Sequence, residues 1–257
     1  MQILEDGARR FGISLSSEHL QKFERYYQEL MTWNERFNLT AITGREAVQL
    51  RHFLDSLTCL LAVPPGSTPS ESRKSGIPDT VPLQVSDAAL RLADLGTGAG
   101  FPGIPLKLML GEAELTLVES TRKKVEFLRH IVKVLELKDV EVVRARAEAL
   151  GQEPEHRDRY DVVTARAVAH MAVLAEYCLP FCRIRGRMIA PKGAGAHQEV
   201  EEAVEAIEML GGELVAIKPI ALPGLDREQY LVVVEKTAPT PTDYPRRTGI
   251  PSKRPLL

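Results

Sequence analysis

The stretch DLGTGAGFPG, Asp94 to Gly103, decides the fold, because it begins at the end of a strand-sized apolar run, RLADL at 91–95, and places three glycines at alternate positions. At Gly96, Gly98 and Gly100 the backbone can turn tightly and approach a ligand without interference from a side chain. In an open parallel sheet, the loop after such a strand opens onto the usual ligand crevice. The pattern therefore predicts a ligand-binding loop. A plain glycine-rich turn is the disfavoured alternative, since three glycines cost chain entropy.

Outward from this loop, short apolar runs alternate with amphipathic stretches. Strand-sized runs lie at 91–95, 115–118, 140–143, 161–164, 187–190, 213–218 and 230–236. Helical periodicity between them covers 125–135, 171–181 and 200–210. This alternation predicts an α/β fold with a seven-stranded, mostly parallel sheet and helices on both faces. The last two strands follow each other without a strong helix between them, which predicts a hairpin with the final strand antiparallel.

The rest of the chain divides by composition into three further parts. Residues 1–63 form a small N-terminal helical segment with a break at 38–43. Residues 64–87 are rich in Pro, Ser and Gly and predict a flexible insertion before the sheet domain at 88–236. Residues 237–257 combine basic residues with prolines, which predicts an extended tail without a regular helix.

Composition excludes several classes of protein. The net charge is −2, from 33 Lys+Arg against 35 Asp+Glu, so any contact with a polyanion must come from a local patch. Three cysteines, Cys59, Cys178 and Cys182, suit neither a disulfide framework nor a zinc knuckle, and we expect a reducing, cytoplasmic location and no metal. No apolar run approaches the ~20 residues that span a bilayer, and we expect no signal peptide.

The glycine spacing and two acids indicate the kind of ligand. A dinucleotide loop reads G-x-G-x-x-G, whereas this loop reads G-x-G-x-G followed by Phe101, which suits a nucleoside-like ligand without a pyrophosphate. Asp94, before the first glycine, favours a cationic or amino-bearing ligand. Glu119 ends the second strand, where a carboxylate can accept two hydrogen bonds from a ribose diol. A solvated strand end is the alternative for Glu119 taken alone.

The glycine loop and the acid resemble those of class I S-adenosylmethionine-dependent methyltransferases, whose fold is Rossmann-like. More closely, the chain resembles the RsmG/GidB family of bacterial methyltransferases that modify a guanine N7 of 16S ribosomal RNA. The matching segments are WNERFNLTAIT (33–43), RHFLDSL (51–57), DLGTGAGFPGIPL (94–106), VESTRKKVEFLR (118–129), RARAEAL (144–150), YDVVTARAVA (160–169), APKG (190–193) and YPRRTGIPSKRPL (244–256). The insertion at 64–87 is longer than is usual in the family.

This resemblance implies roles for individual residues. Gly96 and Phe101 would contact the methionine and nucleoside parts of the cofactor, and Arg166 would line the mouth where cofactor and substrate meet. Glu119, Ser120 and Thr121 would face the ribose, and Ala147 and Glu148 would lie beside the adenine. The full set implied for S-adenosylmethionine consists of these five residues together with Asp94, Gly96, Gly98, Gly100, Phe101 and Arg166. The candidates for RNA phosphates are Arg166, Lys192, Arg246, Arg247, Lys253 and Arg254.

Simpler interpretations stand beside these roles. Glu148 also suits the N-terminus of a helix, Phe101 the core, and Arg166 a surface ion pair. The basic tail also suits a solubilising terminus. His52 and Asp55, one turn apart, resemble an acid–base pair, but a capping or core pair is at least as probable from spacing, and neither is assigned to catalysis.

The chemistry implied by the resemblance needs no catalytic base, since guanine N7 carries an in-plane lone pair and no proton. Catalysis would then rest on positioning, with Arg166 and Lys192 at the substrate mouth. The expected partner is 16S rRNA, the small ribosomal subunit or its precursor, bound by a monomer. Two alternatives remain open here: a non-catalytic rRNA-binding assembly factor on the same fold, and a nicotinamide-dependent oxidoreductase, which the glycine spacing and the lack of a Tyr-x-x-x-Lys relay disfavour.

Overall fold

A seven-stranded sheet in the order β3-β2-β1-β4-β5-β7-β6 forms the centre of the computed structural model, which describes residues 1–64, 89–166, 168–225 and 227–256. The strands are β1 (Arg91–Leu95), β2 (Glu114–Val118), β3 (Val140–Val143), β4 (Tyr160–Thr164), β5 (Cys182–Lys192), β6 (Gly212–Pro219) and β7 (Tyr230–Lys236). The first five strands pair in parallel, and β7 runs antiparallel to both β5 and β6. The predicted fold class is therefore confirmed, including the antiparallel final strand.

Helices cover both faces of the sheet. Those after β1 are α5 (Gly103–Met109), α6 (Arg122–Val134), α7 (Ala147–Leu150), α8 (Met171–Cys178), α9 (Ala196–Glu201), α10 (Val204–Met209) and α11 (Ile250–Lys253). The single helical pattern at 200–210 corresponds to parts of two short helices, α9 and α10, separated at Glu202–Ala203. Within the described residues, no helix is both long enough and apolar enough to cross a membrane.

The N-terminal helices contain the predicted break. They are α1 (Gln2–Arg10), which the sequence did not single out, α2 (Ser17–Phe37), α3 (Arg45–Val48), a π-helical segment (Gln49–Leu54), α4 (Asp55–Thr58) and a 3-10 turn (Cys59–Ala62). Ser16 and His19 close a reciprocal cap at the start of α2. Asn38 ends α2 in the left-handed conformation, with φ of 49°, and so turns the chain back toward the sheet.

One hydrophobic core joins these N-terminal helices to one face of the sheet. Phe23, Tyr26 and Phe53 are fully buried and belong to the same cluster as Phe127 of α6 and Leu117 of β2. The opposite face packs against α8, α9 and α10 in a second cluster.

The domain limits drawn from the sequence remain predictions. The insertion at 64–87 lies, apart from its first residue, outside the described residues.

The C-terminal tail is anchored by a buried acid. Glu176 of α8 is fully buried and accepts hydrogen bonds from the backbone N–H of Arg246 and, at 2.6–3.2 Å, from two guanidinium nitrogens of the same residue. The expectation of a tail without a regular helix is wrong: α11 forms one turn. Pro251 lies in its first turn, where no backbone N–H is needed for helical hydrogen bonding.

We expect Arg246→Ala to lower the free energy of unfolding by about 3 kcal/mol, because it leaves the Glu176 carboxylate buried without its partner. Arg247→Ala is the matched control, since Arg247 is exposed. Urea unfolding of both variants measures the difference. Equal stability of the two variants would show that the ion pair does not hold the tail.

Candidate functional site

The order of strands reverses at β1, and this reversal predicts a ligand crevice at the carboxyl edge of the sheet. From β1 the chain proceeds to β2 and β3 on one side, and β4 and β5 lie on the other. A ligand site is expected at this reversal, outside the carboxyl ends of the strands. The loops after β1, β2 and β4 meet at this edge. They carry most of the residues that the sequence singled out for the cofactor.

The three glycines of the loop after β1 serve different purposes. Gly96, Gly98 and Gly100 all adopt left-handed backbone conformations, with φ of 66°, 63° and 99°. A Cβ at Gly96 would lie 2.9 Å from Val168, and one at Gly100 would lie 2.5 Å from the Tyr26 hydroxyl. At Gly98 the nearest heavy atom would be 4.0 Å away. Gly98 therefore borders open space that a ligand can enter, whereas Gly100 is required by internal packing.

Asp94 holds the glycine loop from inside the protein. Its fully buried carboxylate accepts hydrogen bonds from the Thr97 hydroxyl at 2.5 Å, the Gly103 backbone N–H at 2.8 Å and the Thr164 hydroxyl at 3.2 Å. Burial raises the pKa of Asp94 to about 6, since these hydrogen bonds offset only part of the desolvation. The sequence predicted contact with a cationic ligand. The structure places this carboxylate in the framework of the loop, and its contact with a ligand stays a prediction.

Glu119 is held at the mouth of the crevice by two backbone amides. Thr121 N–H donates to one carboxylate oxygen at 2.7 Å, and Gly98 N–H donates to the other at 3.1 Å. The side chain is thus fixed against the open space beside Gly98. Each oxygen keeps a lone pair for a further donor. Ser120 is half-buried and the side chain of Thr121 is exposed, so both border the same opening.

Ala147 and Glu148 open α7, directly after β3. Ala147 is half-buried, as a residue that lines a crevice would be. The Glu148 side chain, only 6% exposed, accepts a hydrogen bond from Gly249 N–H of the tail at 3.0 Å. The carboxylate predicted beside an adenine therefore also fastens the C-terminal segment.

Arg166 connects the loop after β4 to the N-terminal helices. Its guanidinium donates to Asp55 at 2.8 Å, to the Arg51 carbonyl at 3.1 Å and to His52 Nδ1 at 3.2 Å. The alternative of a surface ion pair does not fit, because the Arg166 and Asp55 side chains are 13% and 11% exposed. Arg166 thus fixes the junction at the mouth of the crevice.

His52 is neutral in this junction. Burial, followed by the positive charge of Arg166, lowers its pKa to about 3. A guanidinium can only donate, so Nδ1 accepts from Arg166 and the proton lies on Nε2, which donates to the Thr40 hydroxyl at 2.8 Å. Both ring nitrogens are therefore engaged, and His52 supplies no free base.

Phe101 belongs to the core of the same junction. Its ring, 5% exposed, stacks on His52 with centroids 4.5 Å apart and on Tyr26 at 5.2 Å. The Arg166 guanidinium lies 5.2 Å from the ring centroid. Phe101 thus packs between the glycine loop and the N-terminal helices, and the cofactor contact expected of it stays a prediction.

Lys192 lies at the carboxyl end of β5, as predicted, but its charge is already paired. Nζ lies 2.5 Å from Glu199 and donates to the Ala169 carbonyl at 2.9 Å, with 10% of the side chain exposed. Among the tail cations, Arg246 is held by Glu176, whereas Arg247, Lys253 and Arg254 are exposed. The structure therefore leaves these last three accessible to an anion and gives Arg246 an anchoring role.

Sequence reasoning missed the polar residues that complete the loop and the junction. The hydroxyls of Thr97 and Thr164 donate to Asp94, and the Thr40 hydroxyl accepts from His52. The Tyr26 hydroxyl donates to the Ala99 carbonyl. Thr40 falls within a family-like segment, which was the available signal. Over the described ranges, no three His, Cys, Asp or Glu side chains are grouped to hold a metal ion.

Comparison with known proteins identifies the family. A family model described as GidB, rRNA small subunit methyltransferase G, matches residues 19–68 and 79–228. The ribosomal RNA small subunit methyltransferase G of Roseiflexus sp. (strain RS-1) is 48% identical over 256 residues, all of both chains. Its counterpart in Dehalococcoides mccartyi (strain BAV1) is 44% identical over 257 residues, again all of both chains.

Solved structures that match part of this chain are more distant in sequence. An rRNA methylase from Streptococcus thermophilus is 15% identical, with a TM-score of 0.45, and the match covers 58% of this chain and 87% of that one. The family model and the full-length relatives carry the assignment. This chain belongs to the family of ribosomal RNA small subunit methyltransferases G.

Proposed function

We propose that this chain transfers the methyl group of S-adenosylmethionine to N7 of one guanine in 16S ribosomal RNA. The observation that carries the proposal is the Glu119 carboxylate, fixed by Gly98 and Thr121 at the mouth of a crevice. Membership of the family supports the same activity. The family match lends no support to an oxidoreductase or to a non-catalytic assembly factor.

The residues at the crevice fit S-adenosylmethionine. Gly98 leaves space that a side chain would fill, and Glu119 has acceptor capacity for a ribose diol. Ser120 and Thr121 continue the same wall, and Ala147 lies after the neighbouring strand. When bound, S-adenosylmethionine supplies a methyl group that its sulfonium already activates. The protein's task is to hold the two reactants in line.

Positioning is sufficient for this reaction. Guanine N7 is an acceptor without a proton, so no residue has to act as a base. The neutral, doubly hydrogen-bonded His52 is consistent with that requirement. Well-oriented reactants reach effective molarities on the order of 10⁵–10⁸ M. Arg166, held rigidly by Asp55, would border the guanine without exchanging a proton.

The RNA would be held by cations around this mouth. Enzymes that modify a base take it out of its stack, which requires the flanking phosphates to be fixed. The exposed Arg247, Lys253 and Arg254 are suited to that role, and Lys192 becomes available if an RNA phosphate displaces Glu199 from it. We further propose that the protein works as a monomer in the cytoplasm, on 16S rRNA or a small-subunit particle.

We expect Glu119→Gln to weaken S-adenosylmethionine binding by about 10- to 100-fold, since a charged acceptor for the ribose is lost. Isothermal titration calorimetry measures the affinity. Glu126→Gln is the control, because Glu126 is an acid on α6 whose partner is Arg122. Unchanged affinity in the Glu119 variant would remove the ribose assignment.

We expect Gly98→Ala to reduce cofactor affinity by more than about tenfold, because the new Cβ enters the space reserved for the ligand. Gly12→Ala is the matched control: Gly12 has φ of 73° with no atom near its Cβ and lies outside the glycine loop. Both substitutions should cost about 1–2 kcal/mol of stability. Calorimetry and thermal unfolding separate the two effects. Equal affinity in both variants would argue against the loop as a ligand site.

We expect replacement of Arg247, Lys253 and Arg254 by Gln to weaken rRNA binding and to reduce the slope of log K against log salt by about one per lost phosphate contact. The control replaces Lys138, Arg159 and Arg185, which precede or begin strands at the opposite edge of the sheet. Filter binding across a salt series distinguishes the two triple variants. If their slopes agree, the tail does not contact RNA.

A further inference from the structure

Arg51 is a cation with an unsatisfied donor. Its Nε is buried and has no hydrogen-bond partner. Along the described parts of the chain, no carboxylate lies within ion-pair distance of its guanidinium. Buried donors without partners are rare in folded proteins, and each calls for an explanation. A ligand that brings an anionic oxygen to the guanidinium would supply the missing counter-charge.

The nearest acid in sequence is already in use. Asp55, one turn beyond Arg51, is the natural partner for an arginine on the same helix. Its carboxylate instead binds Arg166 at 2.8 Å. Arg51 lies in the π-helical segment Gln49–Leu54, a kind of irregularity that is frequent at functional sites. The local fold thus directs the acid to Arg166 and leaves Arg51 without a counter-charge among the residues that the structure describes.

Arg51 is also close to the reaction site. Its carbonyl accepts from Arg166, which follows β4 at the mouth of the crevice, and the adjacent His52 stacks on Phe101 of the glycine loop. Burial is the main cause of the low pKa of His52, and the charges of Arg166 and Arg51 add to it. The junction therefore holds two guanidinium groups, a neutral imidazole and one carboxylate.

We propose that Arg51 binds a phosphate of the RNA backbone beside the target guanine, an inference that rests on the function proposed above. A guanidinium matches two phosphate oxygens with parallel N–H donors. The carboxylate of S-adenosylmethionine has similar oxygen chemistry. The phosphate is favoured because Glu119 and Gly98 mark the ribose of the cofactor on the β2 side of the crevice, whereas the backbone carbonyl of Arg51 binds Arg166 on the β4 side, where the guanine is expected.

The test compares wild-type protein with Arg51→Gln, Arg51→Lys and Arg45→Gln. Arg51→Gln keeps the carbonyl that holds Arg166, so the junction is retained. Arg45→Gln removes a charge from the same helical run, but from an arginine paired with Glu24. For each protein, calorimetry gives the affinity for S-adenosylmethionine, filter binding with 16S rRNA across a salt series gives the RNA affinity, and tritiated methyl transfer gives kcat and KM.

For Arg51→Gln we expect an RNA affinity about tenfold lower, a salt slope reduced by about one, and unchanged cofactor affinity. Arg51→Lys should recover part of the RNA affinity and the full slope, and Arg45→Gln should match wild type. Wild-type RNA affinity and slope in Arg51→Gln would overturn the inference, as would a loss confined to cofactor affinity. If Arg51→Gln proves unstable, a reduced slope in Arg51→Lys overturns it. Absence of methyl transfer by the wild-type protein would instead refute the proposed function.

Discussion

The buried carboxylate of Asp94 is the interaction on which the site depends. It joins the end of β1 to Thr97 in the loop, to Gly103 at the start of α5 and to Thr164 at the end of β4. A fully buried acid is costly unless its oxygens are well hydrogen-bonded, so these donors must remain in place. The left-handed glycines follow from this arrangement, because the chain has to return within nine residues to the carboxylate it left. The shape of the crevice is thus set by a carboxylate that is buried beneath the glycine loop.

The N-terminal helices are part of the site as much as the sheet is. Tyr26 and Phe53 pack on Phe101 of the glycine loop, and the Asp55 carboxylate fixes Arg166. One continuous core runs from these helices into the sheet. A bare Rossmann-like sheet would leave the loop after β4 without these supports. In this family member the helical segment supplies the wall on the β4 side of the crevice.

The local pattern of the sequence predicted the fold well and the side-chain network less well. Alternating apolar runs gave β1, β3 and β7 with the observed limits. β5 begins five residues earlier than predicted. The register of its pairing with β4 shifts between Tyr160 and Val162, so the apolar run at 187–190 marks only the part of β5 that lies beyond the shift. The contact between Arg166 and Asp55 spans 111 positions, and no local pattern encodes such a pairing. Glu148 and Phe101 were predicted at the ligand, and the structure gives both additional or different partners inside the protein.

The hydrogen bond from Gly249 to Glu148 makes the C-terminal segment and the β3 side of the crevice mechanically dependent on each other. If a ligand displaced the C-terminal segment, the nearly buried Glu148 carboxylate would lose the hydrogen bond from Gly249. The free energy of that loss would lower the affinity of the protein for this ligand. Thermodynamic linkage works in both directions. A molecule that binds beside α7 and stabilises Glu148 would therefore also stabilise the C-terminal segment with its exposed cations, so that each of two reactants would raise the affinity of the protein for the other.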